Sequence, residues 1–222
     1  MFKMIHYIIL FCFLGVFLTA CQTFSSSEKK HDRKATAANI NIQLGMAYLE
    51  KHEIRRAKQK FLLALHEAPQ LPEAWYSLAY FFEVTGDTLR AERCYLHSIE
   101  LAPNRGDTNN NYGTFLCRTH HYSAAIQRFL AATQDVEYLD TAAAYENAGL
   151  CAELIPSPAL AKRYFTEALK QDPHRPLALL SMAELNYKQD NYEEAKHFLR
   201  QFLIESPPTA ESRALSAKLR DI

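Results

Sequence analysis

Apolar and polar positions follow helical spacing along most of this chain, and the spacing itself repeats. Leu44, Gly45 and Tyr48, then Ala57, Phe61 and Ala64, fall at the spacing of two amphipathic helices. Ala57, Ala91 and Ala125 recur at a constant interval; Ala161 follows after that interval plus two positions, and Ala195 after the same interval again. Four residues beyond each alanine stands a bulky residue: Phe61, Tyr95, Phe129, Phe165 and Leu199. Twelve residues before each stands a small one: Gly45, Ala79, Gly113, Gly149 and Ala183. Pro69, Pro103, Pro173 and Pro207 share the register.

These columns predict pairs of helices. Small residues let the first helix of a pair approach the second, and the bulky residue fills the space beside them. Gly86-Asp87 and Asp190-Asn191 supply turns within a pair, and the prolines stop the second helix by removing an N–H and fixing φ. No single pair buries its apolar face alone, so the pairs must stack. The pattern resembles the tetratricopeptide (TPR) repeat, a helix-turn-helix unit with a period of about 34 residues. The resemblance implies an all-α superhelix of five helix-turn-helix repeats at 38–71, 72–105, 106–139, 142–175 and 176–209. Asp140 and Thr141 form a two-residue insertion, repeat 3 has Glu137 in place of the closing proline, and repeat 4 has Pro156-Ser157-Pro158 at its turn. Residues 210–222 read as a capping helix with Leu215 and Leu219 inward.

Residues 1–20 depart from this periodicity. After Lys3, the run from Tyr7 to Leu18 carries no charge, which is the layout of a secretory signal peptide over residues 1–20. Leu18-Thr19-Ala20-Cys21 resembles the lipobox of bacterial lipoproteins. That resemblance implies cleavage before Cys21, acylation (palmitate included) of its cysteine, and a lipid anchor. Gln22 follows where Asp would mark inner-membrane retention in lipoproteins of enteric type, so the outer membrane, facing the periplasm, is expected. Residues 21–37 are expected to form the lipidated N-terminus and a flexible tether, polar and without an apolar period.

Composition agrees with helices. Only 6 glycines are present, which argues against Gly-loop nucleotide folds. Lys+Arg and Asp+Glu both number 25, so the chain lacks the basic excess that nucleic-acid binding needs. Removing Lys3 with the signal leaves 24 basic against 25 acidic residues, a mature charge of −1.

By analogy with the TPR family, positions 2, 5, 9, 12 and 13 of each first helix line a concave groove. Repeat 1 places Asn39, Ile42, Met46, Leu49 and Glu50 there. Repeat 2 places Glu73, Tyr76, Tyr80, Glu83 and Val84; repeat 3 places Asp107, Asn110, Thr114, Cys117 and Arg118. Ile42, Met46, Tyr76 and Tyr80 form an apolar, aromatic strip, which either receives a protein segment or packs against a neighbouring helix or the tether. The Lys and Asn of carboxylate-clamp TPR proteins are replaced by Ile42 and Met46, so that chemistry is not expected.

Cys94, Cys117 and Cys151 remain after Cys12 leaves with the signal and Cys21 is acylated. Cys117 and Cys151 fall late in successive first helices, which stack side by side, so a disulfide between them is expected in an oxidising periplasm. Cys94 reads as a buried thiol. Cys117, His120 and His121 lack a fourth ligand, so no metal is expected. No Ser/His/Asp set, paired carboxylates or phosphate loop is present, and neither an enzyme nor a cofactor is expected.

Asn109-Asn110-Asn111-Tyr112-Gly113-Thr114-Phe115-Leu116-Cys117 is more distinctive than the generic columns. It resembles the signature segment of the type IV pilus biogenesis and stability lipoproteins, the PilF/PilW family, with Thr114 standing where a bulky residue is common. The resemblance implies a monomeric pilotin that binds the pilus secretin subunit and aids its localisation and multimerisation, with no small-molecule substrate. The three asparagines are read as caps of the first helix of repeat 3, as hydrogen-bonding groups within the fold, or, for Asn110, as a partner contact. A generic TPR scaffold for envelope assembly, or a regulator of a peptidoglycan enzyme, is the rival reading.

Overall fold

The glycine and phenylalanine columns meet. A Cβ built on Gly45, Gly113 or Gly149 would lie within 2.9 Å of the ring of Phe61, Phe129 or Phe165 respectively. Any side chain there would push the ring aside, so glycine sets how closely the two helices of a repeat approach. Each ring is fully buried, which is worth about 2–3 kcal/mol relative to exposure.

The computed structural model describes residues 32–221. The helices run in order: α1 (32–50), α2 (Ile54–Glu67), α3 (Pro72–Val84), α4 (Thr88–Leu101), α5 (Gly106–Arg118) and α6 (Tyr122–Ala132). They continue as α7 (Thr141–Ala152), α8 (Pro158–Gln171), α9 (Pro176–Lys188), α10 (Tyr192–Glu205) and α11 (Ala210–Arg220). Odd-numbered helices α1 to α9 are the first (A) helices of five repeats, and α2 to α10 the second (B) helices. Among the described residues there is no strand, and no helix is long and apolar enough to cross a membrane. The signal segment, Cys21, Gln22 and the tether as far as residue 31 lie outside the described residues.

One boundary differs from expectation. The tether is expected to run to residue 37, yet residues 32–37 belong to α1. Ala35 and Ala37 are half-buried and Ala38 is fully buried, and Ala35 lines a small cavity together with Ala68, Pro69 and Leu71 of the α2–α3 loop. Alanine's high helix propensity and the packing of Ala38 against Ala64 and Ala74 extend the helix through a polar stretch.

Each proline at 69, 103, 173 and 207 stands two residues past the end of its B helix. Repeat 3, without one, departs most. Its B helix α6 has 11 residues where the other B helices have 14. The chain leaves α6 early because Asp135 turns back to accept the Gly106 N–H at 2.7 Å and the Glu137 N–H at 3.0 Å. Tyr138 then covers Gly106, where a Cβ would collide with it.

The A–B turns share a left-handed residue: His52 (φ 57°), Gly86 (φ 82°), His120 (φ 65°) and Asp190 (φ 59°). In each, the N–H after that residue reaches the carbonyl five residues back, as in Asp87 N–H to Phe82 O at 2.8 Å. Repeat 4 has Pro156 at this register. A proline ring holds φ negative, so α7 stops at Ala152 and the turn widens to residues 153–157.

Successive A helices touch, α3 with α5, α5 with α7 and α7 with α9, while successive B helices make no comparable contact. The A layer is the more closely spaced, so the solenoid bends toward it and the A helices line the inner face. One cluster of buried side chains runs from Leu49 to Leu185, and Leu169 and Phe198 join it to a second cluster beneath α11.

Candidate protein-binding groove

The groove begins on α1 and α3. Ile42, Met46, Tyr76 and Tyr80 are all half-buried. Ile42 lies against the buried Ala38, Ala64 and Ala74, while Met46, Tyr76 and Tyr80 lean on the main core. Each therefore has one side held by the core and another side open. Leu49, expected in the groove, is instead a core residue at 7% exposure: it packs with the buried cluster that holds Phe61 and Phe81.

The polar rim is a set of ties between helices. Arg105 pairs with Glu73 of α3 and, at 3.2 Å, with Asp107 of α5. Among the described residues the other Glu73 oxygen is buried without a hydrogen-bond partner. The Tyr76 hydroxyl sits beside this group. Burial, and then the charges of Asp107 and Glu73, push its pKa well above the usual phenol range. Further along, Arg118 pairs with Glu83 at 2.7 Å and the Tyr95 hydroxyl donates to Glu83 at 3.0 Å. One carboxylate thus fastens α3, α4 and α5.

Asn110 is half-buried and accepts from Asn147 Nδ2 at 3.0 Å, tying α5 to α7. None of the three asparagines caps α5. They lie inside it, and its N-cap Arg105 makes no side-chain capping bond. Asn109 is fully buried and donates to the carbonyls of Pro103 (2.8 Å) and Arg105 (2.9 Å). Asn111 donates to Asp107 O at 2.7 Å. The cap comes from Asp135, whose distance in sequence hides it.

A disulfide joins Cys117 of α5 to Cys151 of α7, with Cα atoms 5.9 Å apart. Cys94 is a free, buried thiol, and burial pushes its pKa up. His120 and His121 turn to Tyr122 Oη (2.8 Å) and Thr119 Oγ1 (3.1 Å). Among the described residues no group of three or more His, Cys, Asp or Glu side chains is arranged to hold a metal. A half-open aromatic strip with a charged, internally tied rim suits a segment of another protein. The resemblance to the TPR family pointed to the strip. It placed Glu73 and Asp107 in the groove but gave no signal that Arg105 joins them across two repeats.

Tetratricopeptide repeat family models match residues 72–105 and 157–219. The chain is 31% identical over 211 residues to the type IV pilus assembly protein PilF of Pseudomonas aeruginosa, covering 94% of this chain and 84% of that protein. The chain belongs to the PilF/PilW family. The solved structure of P. aeruginosa PilF superposes with a TM-score of 0.78 at 31% identity, covering 85% of each chain. That of PilW, described as a widely conserved type IV pilus biogenesis factor, superposes with a TM-score of 0.73 at 24% identity over 83% of this chain and 84% of that one. A Haemophilus influenzae protein described as uncharacterized is 31% identical over 134 residues, 60% of this chain and 73% of that protein. PilF/PilW membership gives the chain a role in type IV pilus biogenesis, carried out by a TPR solenoid of the kind that binds protein partners.

Proposed function

We propose that this chain is a pilotin: an outer-membrane lipoprotein that binds the pilus secretin subunit and promotes its localisation and multimerisation. The observation that carries the reading is the Ile42–Met46–Tyr76–Tyr80 strip, half-open on the inner face of a chain that shares its length with PilF. The mechanism is physical. Acylated Cys21 fixes the module to the membrane, the residues after it give reach, and the strip holds a secretin segment. Holding the client at the membrane raises its effective concentration where the ring assembles. Each buried methylene contributes about 0.8 kcal/mol, so several acyl chains together make that anchor durable.

Three experiments test it. Affinity capture with this chain should retain the secretin, and deletion should deplete secretin multimers; no retention together with normal multimers would refute the reading in favour of a generic envelope scaffold. Cys21→Ala should release the protein from the outer-membrane fraction and reduce ring formation. Continued outer-membrane fractionation with normal rings would refute the anchoring step.

A further inference from the structure

The small-residue column continues beyond the fifth repeat. Ala217 lies one repeat period after Ala183. In the five repeats this position is buried against the B helix, but Ala217 is exposed. Ser212 likewise holds the register of the buried Ala74, Thr108, Ala144 and Ala178, and is itself fully buried. So α11 is the A helix of a sixth unit, and among the described residues no B helix lies on it.

The berth that such a helix would occupy is a trough of about 530 Å³ between α10 and α11. Its floor is Leu199, Leu203 and Leu219. One repeat earlier the same positions are Phe165, Leu169 and Leu185, and Phe198 of α10 packs into the cluster that contains them. At the open berth Leu203 is 41% exposed.

The walls differ in charge from the inner berths. Lys196, Arg200, Arg213 and Arg220 line the trough, and no carboxylate does. One repeat earlier Lys162 Nζ donates to Asn186 Oδ1 at 2.8 Å, bridging α8 and α9. Lys196 and Arg220 stand one repeat period on from that pair, so the acceptor has become a second cation. Arg213 likewise replaces the buried Leu179. Lys196 meets only Glu193 of its own helix, at 3.3 Å, and Arg200 and Arg220 are in no ion pair among the described residues.

We propose that this trough receives an amphipathic helix of a partner protein, apolar along one stripe and acidic on both flanks. The apolar stripe takes the place of a B helix over Leu199, Leu203 and Leu219, and the carboxylates sit between Lys196 and Arg220 and against Arg200 and Arg213. Two of the three floor residues are recessed, Leu199 at 5% and Leu219 at 4% exposed, and only Leu203 stands open, a concave surface that fits an inserted helix; a bilayer surface calls for several protruding apolar side chains. The site lies at the opposite end of the solenoid from the α1–α3 strip and does not depend on the pilotin reading.

The probe is a fluorescein-labelled synthetic helix with leucines at i, i+3 and i+4 spacing and glutamates on both flanks. Its control carries lysines in place of the glutamates. Anisotropy is read with the full chain in detergent. The acidic peptide should bind, the basic one should not, and Arg200→Glu with Arg220→Glu should weaken binding about tenfold or more without moving the thermal melt. Leu203→Asp, at an exposed floor position, should weaken it too, whereas Tyr76→Ala should leave it unchanged. Equal binding of both peptides, or no response to either set of substitutions, would overturn the proposal. Two other results would reassign the trough. Sedimentation with phosphatidylglycerol vesicles that the peptide does not compete would assign it to lipid. Self-association abolished by the double substitution would assign it to a second copy of the chain.

Discussion

At the residue scale the fold rests on a repeated contact between a glycine on an A helix and an aromatic ring on its B helix. Phe165 has no exposed surface, and its ring fills the space that the Cβ of any other residue at 149 would take. Phe165→Ala should therefore lower stability by about 3–5 kcal/mol, read as a shift in the urea midpoint. Buried tyrosines give a second handle. Burial pushes the Tyr138 hydroxyl up to about 12, with the nearby charges of Asp140 and Asp107 adding to it; Tyr76, Tyr95 and Tyr112 are raised as well. The unfolded chain loses these protons near pH 10 while the folded chain keeps them, so their contribution is complete below that pH and is lost as pH rises through the folded values. Stability should fall steeply above about pH 10, and Tyr138→Phe should reduce the slope. An unchanged slope in that variant would show that Tyr138 titrates freely. The column residues were legible in sequence because period and size alone place them. The pairing of Arg105 with Glu73 and Asp107 was not, because the rotamers that bring them together are set by the stacking of two repeats.

At the element scale, regularity and its failures have local causes. A left-handed residue closes four of the five A–B turns, and Pro156 forbids it in the fourth repeat. The missing proline after α6 was visible, and it marks the junction that the structure shows to be the least regular. Its form was not: Asp135 reaches 29 positions back to Gly106, a contact with no period. Alanines 35, 37 and 38 carry α1 into a segment that polarity alone assigns to a tether. The disulfide ties α5 to α7 across this least regular junction. Replacing both cysteines by serine should cost about 3–4 kcal/mol by the loop-closure argument, measured by denaturant unfolding without reductant. A loss no greater than that of each serine on its own background under reducing conditions would show that the cross-link contributes nothing.

At the scale of the whole molecule, close spacing of the A helices curves the solenoid and puts the Ile42–Met46–Tyr76–Tyr80 strip on its inner face. The register of the repeats, read through the resemblance to the TPR family, announced this strip from sequence. It did not announce that Leu49 drops into the core, or that the charged rim is spent on ties such as Glu83–Arg118. What remains open to a partner is the outward side of two tyrosines, a methionine and an isoleucine, which is a hot-spot composition for a single peptide segment. The most direct measurement is a photo-crosslinking amino acid placed at position 80 in cells that assemble pili. The account predicts a covalent adduct with the secretin subunit, lost when Met46 is also replaced by Asp. Secretin rings that form normally while position 80 never crosslinks to the secretin would contradict it.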